Sequence, residues 1–148
     1  MIVNTPQQTF RAALGQFFVK ETSTENLAAA RSLIERSETA GADLLVLPEC
    51  IIARKLGMPE WGQKQAEPLD GPFVSGLREA TRGRRVTVVC TVQAKIANES
   101  RYANDLLVIQ NGELRLTYQK IHLYDAFRGK ESSYAAPGPA ASASDRTI

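Results

Sequence analysis

Tyr118-Gln119-Lys120-Ile121-His122-Leu123-Tyr124-Asp125-Ala126-Phe127 is the stretch on which the reading of this chain turns, taken together with the earlier Leu47-Pro48-Glu49. The later stretch places a lysine after the β-forming run Leu114 to Tyr118, and the earlier one a carboxylate after the run Leu44 to Leu47. Sheet proteins collect their chemistry at the loops that leave strand ends, so a Glu and a Lys delivered at two such ends form a candidate pair. Taken singly, each is an ordinary solvated strand end, because charged side chains sit mostly at the surface. The pair carries meaning only if the fold brings the ends together, where each charge would support the ionised state of the other.

Outward from these anchors, the chain reads as an alternation of strands and helices. Met1 to Thr9 is polar and is expected to be a disordered lead into a buried first strand, Phe10 to Val19, where β-formers cluster. Thr22-Ser23-Thr24-Glu25 offers a capping box, and the helix it opens runs to about Ala40, with Leu27, Ala30, Leu33, Ile34 and Ser37 on one side. Gly41 closes that helix. Asp43 to Leu47 is apolar without alternation, the pattern of a strand covered on both faces, and Pro48 ends it because proline cannot donate to a ladder. Cys50 to Asp70 loses all periodicity at Gly57, Pro59, Gly62 and Pro68 and reads as a long surface loop. A second helix spans Gly71 to Arg82 with Pro72 in its first turn, followed by strands at Val86 to Ala94, Tyr102 to Ile109 and Leu114 to Tyr118. Asn111-Gly112 is a two-residue hairpin signal that pairs the last two. The order predicts an α/β fold, a mixed sheet with helices on one side.

The length of 148 residues and a 43% hydrophobic content suit one globular domain, and no run is long enough to cross a bilayer. A net charge of +2, with Arg82-Gly83-Arg84-Arg85 lacking any aromatic platform, points away from nucleic acid; that cluster reads as a solvated helix end. Two cysteines and the absence of a secretory pattern imply no disulfide framework and make the cytoplasm the default location. One histidine and two scattered cysteines do not make a metal ligand set, and no cofactor motif is present.

In their order, Ala13-Leu14-Gly15-Gln16-Phe17, a helix, Gly41-Ala42-Asp43-Leu44-Leu45-Val46-Leu47-Pro48-Glu49, Asn104-Asp105-Leu106-Leu107-Val108-Ile109 and Lys120-Ile121-His122-Leu123-Tyr124-Asp125 resemble the first half of the nitrilase superfamily of carbon-nitrogen hydrolases. The run His122 to Phe127 with Glu131-Ser132, and Gly15-Gln16-Phe17 at the start, most resembles the bacterial branch that includes deaminated-glutathione amidase; a neighbouring branch acts on N-carbamoyl compounds. The resemblance implies the N-terminal half of a four-layer α-β-β-α sandwich, spanning residues 1–138, with residues 139–148 as a disordered tail. It also implies a small-molecule amide as substrate and a homo-oligomeric family.

In that chemistry a thiolate attacks the carbon, a carboxylate takes the thiol proton and later activates water, and an ammonium stabilises the oxyanion. The resemblance gives Glu49 the role of general base, Lys120 that of oxyanion stabiliser, and Glu131 that of an auxiliary second glutamate. It sets the catalytic cysteine some tens of residues beyond Lys120, where this sequence has none. Cys50 follows Glu49 directly, and neighbours on an extended chain point to opposite sides. Cys90 lies in an apolar run as a small core residue. His122, with Asp125 close by, is expected to orient its loop by hydrogen bonding, and Trp61 either lines the pocket or anchors its loop. Two readings follow. One is a truncated thiol amidase that is inactive alone because its nucleophile lies elsewhere; the other is a non-enzymatic binding or association domain that kept the scaffold. In either, half a sandwich would expose apolar surface that promotes association.

Overall fold

A computed structural model describes residues 9–127 and 129–139. The polar lead up to Gln8 and the tail from Ala140 onward lie outside the described residues.

The sheet is built in the order β1 (Ala12–Leu14), β2 (Leu44–Val46), β3 (Thr87–Lys95), β4 (Tyr102–Gln110) and β5 (Glu113–Gln119), with the short β6 (Ala135–Ala136) beside β4. The first three strands run parallel, and β4 and β5 then alternate in direction. Two antiparallel steps make β5 parallel to β2, so the C-terminal ends of β2 and β5 share one end of the sheet. That end is where Pro48-Glu49 and Lys120 leave their strands.

Helix α1 (Ser23–Thr39) starts where the sequence places it. Thr22 caps it by accepting from the Glu25 amide at 3.4 Å, and its hydroxyl donates to the Glu25 carboxylate at 2.6 Å. Gly41 ends it with φ +67°, a conformation costly for residues bearing a Cβ. The α3 helix (Pro72–Thr81) lies against α1 so closely that a Cβ on Gly76 would stand 2.5 Å from the Leu27 side chain. Both helices therefore lie on one face of the sheet. Beneath them Leu45, Val88, Leu107 and Ile109 are fully buried with Ile34, Phe73 and Leu77. The Asn111-Gly112 turn takes φ +49° and +79°, the twist a two-residue hairpin needs.

Three expectations need correction. The first strand is a three-residue edge strand rather than a buried one, and Phe10, Leu14 and Phe18 are 71%, 77% and 66% exposed. Its neighbour β2 is covered on one face only: Leu45 is buried while Leu44 and Val46 are half-buried. Register explains both results. Leu14, Val46, Val89, Val108 and Leu116 are successive partners across all five strands, so they form one apolar ladder on the face opposite the helices. That face is apolar like a core along this ladder, and it is covered only toward Gln93 and Asn104, where the Cys50–Ala53 segment and Gly62 pack on Gln93. The third correction concerns Cys50 to Asp70, which is no surface loop throughout. Ile51, Ile52 and Ala53 are buried, and the five-residue helix α2 (Trp61–Gln65) follows. The periodicity is absent because much of the backbone from Cys50 to Ala53 bonds to side chains instead of joining a ladder. Gln93 Nε2 donates to the carbonyls of Cys50 and Ala53, its Oε1 accepts from the Ile52 amide, and Asn26 donates to the Ile52 carbonyl.

Candidate active site

The Glu49 and Lys120 strand ends start about 14 Å apart, since β3 and β4 separate β2 from β5 and strands sit about 4.8 Å from one another. The chain closes this gap after Pro48. The Leu47 amide still bonds to Val89, but Cys50 then takes a left-handed turn at φ +54°, its amide bonding to Thr91 Oγ1 at 2.7 Å on β3. Glu49 is thereby carried across β3 to reach Asn104 on β4, whose amide donates to Glu49 Oε1 at 2.8 Å. From the other side, the Lys120 amide donates to the Asn104 carbonyl at 2.9 Å. Asn104 thus ties both strand ends to one residue.

The Lys120 ammonium lies 3.2 Å from Glu49 Oε1 and 3.0 Å from Glu131 Oε2, bringing together the three residues that the resemblance singles out. Glu131, at the start of a short 3-10 turn (Glu131–Ser133), is 7% exposed. It also accepts from the Tyr124 amide at 2.7 Å, so its carboxylate fixes both the lysine and the loop that follows it. Burial pushes the Glu49 carboxyl up, but the Asn104 amide, the Lys120 ammonium and, at longer range, the Arg54 guanidinium outweigh it and hold the group below its ordinary value. Burial pulls the Lys120 ammonium down, and its bonds to Glu131 and Glu49 more than reverse this, raising it. The arrangement is a carboxylate and an ammonium both held charged, with a second carboxylate locking the ammonium in place.

These groups wall a cleft of about 440 Å³, opposite the segment from Arg54 to Pro59. Cys50 lines the same cleft, so its exclusion on the ground that neighbours point apart does not hold: the left-handed turn breaks the extended geometry that argument needs. Its environment weighs against it instead. Burial, and then the Glu49 carboxylate, push the thiol up to about 12, so its thiolate is costly to form. Cys90 lies in the core beneath the helices, where burial likewise pushes it up to about 12.

Asn104 and Gln93 are the functional residues that sequence reasoning passed over. Both are polar residues inside apolar β-runs, and their burial at 2% and 3% shows what they are for: one braces the carboxylates, the other the Cys50–Ala53 backbone. A buried polar residue in a strand must find partners, and that is the signal that could have flagged them. Trp61 takes the anchoring role, packing on the core while its indole N–H donates to the Glu21 carbonyl at 2.9 Å. His122 is exposed, and Asp125 instead accepts from the Ser132 amide at 3.0 Å, so the loop is oriented by Asp125 and Glu131. Among the described residues no group of His, Cys, Asp and Glu could hold a metal ion, and no helix is long and apolar enough to cross a membrane.

A mixed sheet with helices on one face and a Glu–Lys–Glu cluster at its end defines a class, and the comparisons agree on which. Residues 11–145 match the family model of carbon-nitrogen hydrolases, and the chain belongs to that family, within the nitrilase superfamily. It is 32% identical over 120 residues to the deaminated glutathione amidase of Escherichia coli O157:H7, covering 81% of this chain and 45% of that protein. A hydrolase of Mycobacterium tuberculosis is 35% identical over 131 residues, 86% of this chain and 45% of its own length. Among solved structures, a CN-hydrolase superfamily protein of Xanthomonas campestris, described with an arsenic adduct in its active site, superposes with a TM-score of 0.73 at 26% identity. It covers 88% of this chain and 46% of that one. The chain thus spans about half the length of the relatives it matches.

Proposed function

We propose that this chain carries the base and the ammonium of a thiol-dependent amidase, with the attacking thiol supplied from outside the described residues. The observation that carries this is the Lys120 ammonium, held 3.2 Å from Glu49 and 3.0 Å from Glu131 in the wall of an open cleft. A structural ion pair would be expected to sit in the core or on a flat surface; this one faces space that a small molecule can enter.

In the reaction, Glu49 takes the proton of the incoming thiol as its sulfur adds to the amide carbon. The Lys120 ammonium stabilises the oxyanion that forms. Glu49 then gives its proton to the leaving nitrogen, releasing ammonia or an amine and leaving a thioester. Next Glu49 takes a proton from water, whose oxygen attacks the thioester, and the acid departs with the thiol restored. Glu131 has no share in proton transfer and keeps Lys120 aimed at the oxyanion. Neither cysteine of the sequence is assigned the nucleophile's part: Cys90 is buried in the core beneath the helices, and burial and the Glu49 charge make a Cys50 thiolate costly to form. The chain alone is therefore expected to be inactive.

The test is ammonia release from primary and N-carbamoyl amides, by the purified chain and by a longer protein in which a β-rich run ending in cysteine is joined after Ile148. We expect none from the chain. From the longer protein we expect hydrolysis that falls by at least about a hundredfold with Glu49→Gln or Lys120→Ala. Turnover by the chain alone that disappears with Cys50→Ala would overturn the assignment of the thiol.

A second reading rests on a different observation, the apolar ladder from Leu14 to Leu116. In it the domain is an association module that covers this face with another protein. It predicts that the chain self-associates or pairs with a relative, and that Leu116→Lys makes it monomeric on size-exclusion chromatography. A wild-type chain that elutes as a monomer at all concentrations, both alone and mixed with a full-length relative, excludes this reading.

A further inference from the structure

Two carboxylates meet one ammonium at the end of the sheet, and they hold it differently. Glu131 grips Lys120 with both oxygens, Oε1 at 3.2 Å and Oε2 at 3.0 Å. Glu49 reaches it with Oε1 alone, at 3.2 Å, on a side chain that stays 61% exposed. The side-chain amide of Asn104 donates to that same oxygen at 2.8 Å, and its nitrogen also lies 3.5 Å from Glu131 Oε1. One neutral amide thus spans both carboxylates.

A carboxylate oxygen offers two lone-pair directions. On Glu49 Oε1 they are taken by an ammonium and an amide nitrogen, groups that only donate, so a proton arriving there would have to displace one of them. Among the described residues no hydrogen bond is made by Oε2, and Glu49 lines the cleft. The two oxygens of this carboxylate are therefore not equivalent.

We propose that Asn104 is a positioning residue that fixes Glu49 Oε1 and so leaves Oε2 as the oxygen that takes and returns the proton in the cleft. This rests on the amidase reading and deepens it at the base. Lys120 alone does not secure the orientation, because its bond to Glu49 is the longer one and its ammonium is shared with Glu131. Without the amide, the Glu49 carboxylate can rotate and exchange its oxygens. Being neutral, the amide also lowers the basicity of Glu49 less than a second cation in its place would. The role belongs to the side chain only. The Lys120 amide is bonded to the Asn104 backbone carbonyl, so a substitution at Asn104 leaves the tie between the strand ends in place.

The experiment is an NMR titration of the purified chain on the acid side of neutrality. Around Glu49 the cleft carries Lys120, Glu131, Cys50, Arg54, Tyr102 and Tyr134, and Glu131 is the other carboxyl among them, so the carboxyl carbons of Glu49 and Glu131 are followed together with the side-chain amide of Asn104. The Asn104 amide signal should move with the same midpoint as the Glu49 carboxyl. In Asn104→Leu that midpoint should rise toward the ordinary carboxyl value while the backbone spectrum elsewhere is unchanged. In Glu49→Gln the carbonyl oxygen should replace Oε1, leaving the new NH2 group in the cleft, where it exchanges quickly with water. An Asn104 amide blind to the Glu49 titration, an unmoved Glu49 midpoint in Asn104→Leu, or a protected NH2 group in Glu49→Gln overturns the proposal. The first and third of these decide it even where Asn104→Leu does not fold. In the longer, thiol-containing protein Asn104→Leu should lower kcat about tenfold or more with KM little changed. If that protein hydrolyses amides equally well with Asn104 or Leu, the positioning role falls and the amidase stands. If the NMR results are as expected and that protein cleaves no amide, the amidase reading falls and the bracing of Glu49 remains.

Discussion

The two faces of the sheet are built from similar residues and have opposite fates. On one face Leu45, Val88 and Ile109 are register partners that lie at 0% exposure beneath α1 and α3. On the other, Val46, Val89 and Val108 are register partners too, yet remain half-buried, and the ladder ends in Leu14 and Leu116 at 77% and 39% exposure. Apolar composition therefore says that a face is written for a partner, and only the packing says whether the partner is there. The Glu49–Lys120–Glu131 cluster stands at the end of this sheet, together with Asn104 and Gln93, which belong to the open face by register with Leu106 and Thr91 as their same-face neighbours. The proposed catalytic groups and the uncovered apolar ladder thus share one side of the sheet.

The sharpest way to break this contrast is to truncate one residue on each face and compare urea unfolding. Ile109→Ala leaves a cavity under the helices and should cost about 2–5 kcal/mol. Leu116→Ala removes a half-exposed side chain and should change stability by no more than about 0.5 kcal/mol. Equal losses would mean that the open face is covered in solution.

A smaller effect is expected at the site. Glu131→Ala strips Lys120 and the Tyr124 amide of an acceptor buried to 7% exposure, and should cost about 1.5–3 kcal/mol. Glu131→Gln should cost less, because it retains a carbonyl oxygen for the Tyr124 amide. If the two variants are equally stable, the carboxylate charge matters more than its acceptor geometry.

The smallest effect is a dependence on pH. Glu49 titrates below its ordinary value of 4.5 in the folded chain, so its contribution is fully present above 4.5 and is lost as pH falls through the lowered value. Lys120 titrates above its ordinary 10.5, so its contribution is fully present below 10.5 and is lost as pH rises through the raised value. Comparing the chain with Glu49→Gln across pH should show a constant gap at neutral pH that narrows on the acid side. A gap that widens on acidification would mean that the carboxyl is held neutral.

Much of this was legible in the sequence because it depends on local physics. Thr22 and Gly41 mark the ends of α1 through hydrogen bonding and backbone sterics within a few residues, and Asn111-Gly112 specifies its hairpin in the same way. Glu49 and Lys120 could be named as charges at recognisable strand ends, whereas Glu131, and the role given to each of the three, came from the family resemblance. Tertiary structure decided the rest. A single left-handed residue, Cys50, turns the chain across β3, and no periodicity signals it. Asn104 and Gln93 look like interruptions of a strand until the fold supplies the carboxylate and the carbonyls they serve. Whether an apolar run is core or open surface depends on what packs on it, and that is settled between elements far apart in the chain. Local geometry is written residue by residue; convergence and burial are properties of the whole.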